Sequence, residues 1–468
     1  MLKNKPNFVI CPFCCYRFHP NEADFRLGGS RKFLDEKLLD YYTDLLNIDR
    51  VDAKVNAMQT PFASLTADER YVSYDKSDLE KYGFVQQILF KNLKEKQEIS
   101  DQRLCPNCHN NLPTGYGMRD TVLISILGDA RSGKSVFLTV LIAELENNTD
   151  FASKLTFIGD RSVRDSFYET YQRPLLKEHT LISSTKRKKI PPHAFNYWYQ
   201  YKDENGAFCE NSIDIIFYDI AGEDLRDDDG IRNNGFNIKD SSGIIFLVDP
   251  TNFTKLADLF RFSDSALFEA IPKENSIQVI YDTLYNYFIG FNREKCQIPM
   301  ALTLSKADLF RYVNFDFFSD KPESRIQHEF EHEKHRGAVN MPSIKGMHEE
   351  VRELVSHLNE DGVLNNAVGC FKNVNYFAVS SLGKKPIVEK ISDPETNETV
   401  EKGFVDGPIS PFRVKDPFYW ILMRNQLLLK HENGRYSLPI ENAFEEEIVK
   451  SLSAWQKFVN FFKRLSKG

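Results

Sequence analysis

The chain has 468 residues, with 60 Lys and Arg against 67 Asp and Glu and a net charge of −7. This length allows one large domain or two to three ordinary ones, and the acidic balance gives no overall signature of nucleic-acid binding. No apolar run reaches the roughly 18–20 residues that span a bilayer, and Pro6, Pro12 and the early cysteines interrupt any signal-peptide core. We therefore expect a reducing, cytoplasmic compartment. Eight cysteines in a chain of this length are also too few for a disulfide scaffold.

Four cysteines are spaced like metal ligands, in the pairs Cys11/Cys14 and Cys105/Cys108. In a CxxC pair the turn directs two thiolates at one ion, and Zn²⁺ takes four ligands in a tetrahedron. Because roughly ninety residues separate the pairs, we interpret about 21–99 as an insertion into a zinc ribbon, or as a small domain pinned by the pairs. Two unrelated reduced pairs are the alternative. Three nearby side chains rank lower as substitute ligands: Cys15, His19 and His109.

Two stretches of this insertion carry apolar residues at helical spacing. The first comprises Phe33, Leu38, Leu39, Tyr42, Leu45 and Leu46. The second comprises Phe84, Ile88, Leu89 and Leu93. We expect both stretches to be helices that pack into a core, with a partner surface as the alternative.

The stretch LISILGDARSGKSVFLTVL at 122–140 places two glycines, a lysine and a serine between a strand-like run and a helix-like run. Backbone N–H groups of such a loop can surround phosphate oxygens. Lys134 can reach the β- and γ-phosphates, Ser135 can ligate Mg²⁺, and the helix directs its positive dipole end at the same phosphates. An ordinary glycine-rich turn is the alternative. The predicted nucleotide contacts are Gly128, Asp129, Ala130, Arg131, Ser132, Gly133, Lys134, Ser135 and Val136.

A second apolar run, NSIDIIFYDIAGED at 211–224, ends in Asp219-x-x-Gly222. An aspartate at the tip of a strand beside the phosphate loop can hold a water on Mg²⁺, and the Gly222 N–H can reach a γ-phosphate. The preceding residues alternate in polarity and turn at 203–206. They predict an antiparallel hairpin that leads into the Asp219 strand.

Three later runs predict further strands of the same sheet. SGIIFLVDP at 242–250 is typical of a buried parallel strand. IPMALTLSKADLF at 298–310 brings in Asp308, whose carboxylate can accept two N–H bonds that guanine offers and adenine does not, while the Lys306 stem packs along the base. The strand at 374–385 ends in residues whose backbone N–H groups can bind guanine O6, namely Ser380, Ser381 and Leu382.

The ordered set GDARSGKS, DIAGE, LSKAD and SSL resembles the translation-factor-related (TRAFAC) class of P-loop GTPases, which contains the Ras-like switches. The resemblance spans residues 117–430. The cysteine pairs and NVNYFAVSSLG resemble, more narrowly, the bacterial double-GTPase-like group tied to conflict and defence gene clusters. The class resemblance implies phosphate and Mg²⁺ roles for Lys134 and Ser135, an Mg²⁺-shell role for Asp219, γ-phosphate sensing by Gly222, and base contacts from Lys306 and Asp308.

Three positions depart from the class. Ser305 stands where Asn or Thr is usual, which removes a bridge to the phosphate loop and keeps the Asp308 contact. Glu223 replaces the glutamine that orients the attacking water, and its carboxylate adds repulsion, so we expect slow hydrolysis or a water managed by another group. Thr180 and Thr185 are candidates for the catalytic switch I threonine that ligates Mg²⁺. We favour Thr185, because a strand follows it at about the right distance.

Several other stretches carry weaker signals. The basic run 186–189 is a solvated loop, or a nucleotide-dependent contact for an effector or nucleic acid. Residues 347–371 predict two helices, 390–403 a strand–turn–strand excursion, and 416–430 the last helix of the nucleotide domain. The basic amphipathic tail at 451–468 can pack on the domain, on a partner or on a membrane surface.

These patterns predict an α/β fold, with a mostly parallel sheet that contains one antiparallel strand and has helices on both faces. Residues 1–116 would form the zinc ribbon with its helical insertion. Residues 117–435 would form the GTPase domain, with insertions at about 310–370 and 384–410. Residues 436–468 would form a helical tail.

The predicted function is a GTP-dependent switch with slow hydrolysis that regulates an unidentified effector protein, in a defence system if the narrower resemblance holds. GTP/GDP, Mg²⁺ and Zn²⁺ are the expected cofactors, and assembly into a homo- or hetero-oligomer is open. One alternative is a P-loop ATPase or kinase in which SKAD is only a surface turn. Another is a zinc-ribbon protein that binds nucleic acid under nucleotide control.

Overall fold

The structure is a computed structural model. It describes residues 8–46, 48–66, 72–91, 96–129, 132–148, 150–159, 161–182, 192–220, 236–253, 255–256, 283–284, 286–287, 295–312, 315–328, 335–358, 369–392 and 399–438. Among the described residues, we find no helix that combines the length and the hydrophobicity of a transmembrane span.

A seven-stranded sheet organises the chain. Its strands are β1 (Thr121–Gly128), β2 (Ser153–Ile158), β3 (His193–Lys202), β4 (Phe208–Asp219), β5 (Gly243–Val248), β6 (Met300–Leu304) and β7 (Val374–Ala378). Their spatial order is β2-β3-β4-β1-β5-β6-β7. Only β3 runs against the others, because it pairs antiparallel with both β2 and β4 while the remaining pairs are parallel. The predicted sheet with one antiparallel strand is confirmed.

The hairpin of β3 and β4 forms as the sequence predicts. Gly206 has φ of 81° in its turn, where glycine carries no Cβ penalty. The register pairs His193 with Phe217 at one end and Lys202 with Phe208 at the other. This long hairpin places Asp219, the last residue of β4, beside the end of β1.

Helices cover both faces of the sheet, because side chains of its strands alternate between two hydrophobic cores. On one face, helix α1 (Lys134–Glu146) and helix α3 (Asp416–Arg424) pack on the core that contains Ile124 and Ile126. On the other, much of helix α2 (Met341–His357) packs on the core that contains Leu123 and Leu127. Residues 347–371 were predicted as two helices; the first begins earlier, at Met341, and residues 359–368 lie outside the described part.

Shorter elements complete this region. The strands Ile387–Ser392 and Thr399–Phe404 pair antiparallel, which confirms the excursion predicted at 390–403. Val339–Asn340, Lys430–Glu432 and Arg435–Ser437 form a small three-stranded sheet. The helical segments and turns are Arg161–Phe167, Tyr168–Lys177, Phe236–Asp240, Pro250–Asn252, Ala307–Tyr312 and Asp316–Ser319.

The N-terminal region consists of short elements around its own core. Its strands are Val9–Ile10, Arg17–Phe18, Asp24–Arg26, Phe33–Leu34, Met58–Gln59, Phe62–Ala63, Val72–Ser73, Ile88–Lys91, Gln97–Ser100 and Arg103–Leu104. Its helical segments are Pro20–Glu22, Glu36–Asp40, Tyr41–Leu45, Arg50–Asn56 and Ser77–Tyr82. The first predicted stripe is helical from Glu36 onward and buries Leu38 and Leu39, although Phe33 lies in a strand and is exposed.

The second predicted stripe is wrong as a helix. Its helix ends at Tyr82, because Gly83 takes a left-handed conformation (φ 81°) as the C-cap. Ile88–Lys91 is instead a strand paired with Gln97–Ser100. Ile88 and Phe90 are buried while Leu89 and Lys91 are exposed, a period of two that a helix cannot produce.

Candidate nucleotide site and metal centre

The phosphate loop follows β1 and leads into α1. Gly128 has φ of 147°, and a Cβ there would lie 2.4 Å from the Leu247 carbonyl oxygen, so only glycine fits this approach. Gly133 is left-handed (φ 86°) immediately before the helix. The Lys134 ammonium donates hydrogen bonds of 2.9 Å to the carbonyls of Gly128 and Asp129, which folds the side chain over the loop. Ala130 and Arg131 lie outside the described residues.

Ser135 and Asp219 come together at the start of α1. The Ser135 hydroxyl donates to Asp219 Oδ2 at 3.1 Å. Within the described part of the chain, the other carboxylate oxygen, Asp219 Oδ1, and the nearby Ser132 hydroxyl are buried without a hydrogen-bond partner. Mg²⁺ prefers oxygen ligands and retains several waters. A hydroxyl beside a carboxylate with one unused oxygen therefore fits a hydrated Mg²⁺.

Burial also sets the electrostatics of this corner. It raises the pKa of Asp219, and the Lys134 charge and the Ser135 hydrogen bond oppose the rise. It lowers the pKa of Lys134, and the carboxylates of Asp219 and Asp129 oppose that change. Each group thus stabilises the charged form of the other. A bound cation or phosphate would therefore shift the pKa values of Asp219 and Lys134 together.

The predicted base-reading residues meet at the ends of β6 and β7. The Ser380 hydroxyl donates to Asp308 Oδ1 at 2.5 Å and accepts the Gly383 N–H at 2.8 Å. Burial raises the pKa of Asp308, opposed by the Ser380 hydrogen bond and by the charges of Arg311 and Lys306. The Ser380 hydroxyl thus fixes one oxygen of the buried Asp308 carboxylate beyond the end of β6.

The segment that follows the 387–404 hairpin forms backbone hydrogen bonds with the loop at 380–383. Phe412 and Ser380 exchange two backbone hydrogen bonds, and the Ser410 N–H donates to the Leu382 carbonyl. Leu382 and Ser381 are half-buried. The base loop is therefore fixed by residues about thirty positions later in the chain.

Ser305, where the class has Asn or Thr, bonds within the sheet. Its N–H and its hydroxyl both donate to the Val248 carbonyl of β5, at 2.9 and 3.3 Å. Its hydroxyl is therefore engaged by β5 rather than by the phosphate loop.

Sequence reasoning did not single out Asp249, which follows β5 directly. Asp249 Oδ2 accepts a hydrogen bond of 2.5 Å from the Lys306 ammonium. The available signal was an acidic residue at the end of a buried parallel strand, the same feature that drew attention to Asp219.

The predicted switch residues Thr185, Gly222 and Glu223, with the basic run 186–189 and the tail 451–468, lie outside the described residues. Thr180, the other threonine considered for switch I, is buried. Its N–H donates to the Pro174 carbonyl, and its hydroxyl donates to the Glu178 carbonyl at 3.3 Å. Its backbone and hydroxyl are thus already bound within the protein.

The four predicted cysteines converge in the N-terminal region. Their sulfur atoms all lie within 4.8 Å of one another and are buried, with Cys11–Cys108 at 3.7 Å and Cys14–Cys105 at 3.8 Å. With a Zn–S bond of about 2.3 Å, tetrahedral ligands stand roughly 3.8 Å apart. The spacing therefore fits one zinc ion.

The two cysteine turns are built alike. The backbone N–H of Phe13 donates to Cys11 Sγ, and that of Asn107 donates to Cys105 Sγ, both at 3.4 Å. Such bonds stabilise thiolates at a metal. The residue after each turn is left-handed, Cys15 at φ 56° and His109 at φ 52°.

The lower-ranked ligands have other partners. The His109 ring contacts Asp35 and Asp24 at 2.8 and 3.1 Å. Cys15 packs into the core on one face of the main sheet, and His19 caps a helical turn by accepting the Asn21 N–H.

The cysteine region also packs on the sheet. Ile10, like Cys15, belongs to the sheet core, and the Tyr116 hydroxyl donates to the Ile10 carbonyl at 2.5 Å. Arg119 Nε donates to the buried Asp214 of β4 at 3.0 Å. The candidate metal centre is thus joined to the strand that ends in Asp219.

A family model described as Double-GTPase 2 matches residues 122–365. A protein of Mycolicibacterium smegmatis, whose provisional name is ESX-1 scaffolding and assembly protein SaeC, is 22% identical over 339 residues. The alignment covers 68% of this chain and 78% of that protein.

Among solved structures, the GTPase-like domain of S. cerevisiae Ski7 bound to GTP is 16% identical, with a TM-score of 0.29 over 67% of this chain and 52% of that one. Sup35 complexed with GMPPNP is 10% identical, with a TM-score of 0.22 over 57% and 39%. The G domain of the T. maritima FeoB iron transporter is 9% identical, with a TM-score of 0.21 over 57% and 91%. The chain thus spans about half or less of the first two.

Proposed function

Because the chain belongs to the Double-GTPase 2 family, we propose that it is a GTP-dependent molecular switch with slow intrinsic hydrolysis. One observation carries the proposal. On the phosphate side, Lys134 and Ser135 follow β1 and Asp219 ends β4. On the base side, Asp308 and Ser380 follow β6 and β7. All four strands are parallel, so these residues lie at one edge of the sheet, where α/β folds bind nucleotides.

On the phosphate side, the loop from Gly128 to Ser135 would hold the β- and γ-phosphates. Lys134 would exchange its two carbonyl bonds for phosphate oxygens, since an ammonium gains more from anions than from neutral carbonyls. Ser135 and Asp219 would hold Mg²⁺, directly and through water. When bound, Mg²⁺ neutralises charge on the phosphates.

On the base side, Asp308 would select guanine. Its carboxylate accepts N–H bonds from N1 and the 2-amino group, whereas adenine presents no such pair of donors. Charge-assisted bonds are worth roughly 1.5–3 kcal/mol each. Two of them predict that GTP binds at least about a hundredfold more tightly than ATP.

Slow hydrolysis is proposed from Glu223, which stands where Ras-like switches have the water-orienting glutamine. A carboxylate there repels the γ-phosphate instead of aligning the water. A Glu223→Gln variant should hydrolyse GTP faster than the native chain in single-turnover assays, and an unchanged or lower rate would contradict this role.

Competition binding of GTP, ATP and XTP tests the GTPase proposal. In Asp308→Asn an amide donor replaces a carboxylate acceptor, so preference should move toward XTP, whose 2-oxo group accepts that bond. Ser381→Ala, a neighbouring change that leaves Asp308 in place, is the matched control and should keep the preference for GTP. Equal competition by ATP and GTP in the native chain would instead support a P-loop ATPase or kinase.

Hydrogen exchange tests the switch itself. With a non-hydrolysable GTP analogue, peptides covering 180–190 and 222–235 should be more protected than with GDP, because γ-phosphate contacts order switch segments. Identical exchange in both states would indicate a constitutive nucleotide site. The M. smegmatis relative is named for scaffolding and assembly, which supports a protein effector over nucleic acid.

We also propose that Cys11, Cys14, Cys105 and Cys108 bind one structural Zn²⁺. The support is their mutual spacing and the sulfur-directed N–H groups.

The division into 1–116, 117–435 and 436–468 is part of the proposal, supported by the separate N-terminal core. The strand Arg435–Ser437 crosses the last boundary. A defence role follows from the sequence resemblance alone.

A further inference from the structure

Asp249 is a buried carboxylate with both oxygens engaged. The residue is 5% exposed. Its Oδ1 accepts hydrogen bonds from the Thr251 N–H and hydroxyl at 2.9 and 2.8 Å, and its Oδ2 accepts the Lys306 ammonium at 2.5 Å. An anion held in this way has one orientation, so it also fixes the position of the lysine it binds.

Lys306 is held in an unfavourable backbone conformation. Its φ is 52°, a left-handed value that costs free energy in a residue with a Cβ. The neighbouring N–H of Ser305 donates to Val248 of β5, and that of Ala307 donates to Val379 beyond β7. Both sides of the backbone and the end of the side chain are thus tied to the surrounding structure. Residues over-determined in this way concentrate at ligand sites.

We propose that Asp249 is a positioning residue for base recognition, which holds Lys306 beside the base pocket and away from Asp308. The inference rests on the proposed GTPase function. The Lys306 side chain is 40% exposed and so has room to move. Released from Asp249, its ammonium could pair with Asp308 and occupy the oxygen that guanine needs. Asp249 therefore serves specificity in two ways, by placing the lysine stem and by keeping the lysine ammonium from pairing with Asp308.

The first test is Asp249→Asn. The amide oxygen can still accept the Thr251 N–H. The amide NH₂, however, would face the Lys306 ammonium, which is also a donor, and the negative charge that binds Lys306 is lost. We expect the Kd for GTP to rise about tenfold, with the Ki of Mg²⁺-tripolyphosphate unchanged because that probe has no base. An equal weakening of both ligands would overturn the proposal, since it would indicate general damage to the site.

A double-mutant cycle separates positioning from an independent role. Lys306→Met keeps the aliphatic stem and removes the ammonium. If Asp249 acts through Lys306, adding Asp249→Asn to Lys306→Met should change the GTP Kd less than twofold. If the two losses multiply instead, Asp249 acts independently of Lys306 and the proposal is wrong.

Two variants complete the design. Glu432→Gln removes a part-buried ion pair with Lys345 (2.8 Å) and should leave GTP binding unchanged. Thr251→Val removes only the hydroxyl hydrogen bond to Asp249 Oδ1, and it replaces Asp249→Asn in the test if that variant folds poorly. We expect it to lower the affinity for GTP two- to threefold and to leave the affinity for tripolyphosphate unchanged. If the native chain does not prefer GTP to ATP, the proposed function fails. If it does and both Asp249→Asn and Thr251→Val bind GTP normally, only this inference fails.

Discussion

Replacing Gly383 with alanine tests the packing of the base loop. Gly383 has φ of 73°, and a Cβ on it would lie 1.8 Å from the Ser410 carbonyl oxygen and 2.9 Å from the Ser410 Cβ. The backbone of Ser410 would have to move, since no flexible side chain can relieve a contact with a carbonyl. Gly407 offers a matched control in the same segment, with φ of 71° and nothing within 4 Å of its Cβ position.

The two sites separate the cost of backbone strain from the cost of the clash. Alanine in the left-handed region costs about 1 kcal/mol, which is all we expect for Gly407→Ala. At Gly383 the displaced chain also strains the hydrogen bond from the Ser410 N–H to the Leu382 carbonyl, 2.8 Å long. A lost buried backbone bond adds about 1–3 kcal/mol. We therefore expect a loss of about 3 kcal/mol for Gly383→Ala.

Urea unfolding followed by fluorescence, with GTP binding measured in parallel, checks both values. Gly383 donates its N–H to the hydroxyl that bonds Asp308, so Gly383→Ala should also weaken GTP binding, whereas Gly407→Ala should not. Equal unfolding free energies for the two variants would refute the reasoning, because they would show that the contact with Ser410 carries no energy.

Three further changes test other parts of the molecule. Cys105→Ser should lose the bound zinc and unfold the N-terminal region, and metal analysis would contradict the site if a Cys11→Ser/Cys105→Ser chain retained stoichiometric zinc. Burial lowers the pKa of His348 from 6.5 to about 4. The neutral, buried imidazole therefore contributes fully to stability above pH 6.5, and this contribution decreases as the pH falls toward 4. The free energy of unfolding should drop by about 2 kcal/mol between pH 7 and pH 5. His348→Gln should remove that share of the pH dependence in urea titrations. Lys134→Ala should weaken GTP binding at least about a hundredfold while leaving the fold intact, and calorimetry showing native affinity would exclude Lys134 from the site.

Local patterns were sufficient where each element carries its own signal. The β3–β4 hairpin could be predicted because alternation and the turn at Gly206 are contained in one stretch of chain. The same reasoning failed for Ile88–Lys91, because the apolar residues between Phe84 and Leu93 fit a helical spacing as well as a strand. The strand is favoured over the helix by pairing with Gln97–Ser100 and by the C-cap at Gly83, which ends the preceding helix. The spacing of apolar residues contains no information about either contact.

Residue types and short spacings were enough to identify the candidate binding residues: the loop from Gly128 to Ser135, Asp219, Asp308 and the four cysteines. Both are local, since they depend on neighbours within a few residues. Two contacts could be found only in the folded chain: Asp249 binds Lys306 between the ends of the adjacent strands β5 and β6, and the cysteine region packs on the sheet through Cys15. Such contacts join residues far apart in the chain, and their partners follow from strand order and register rather than from any local spacing.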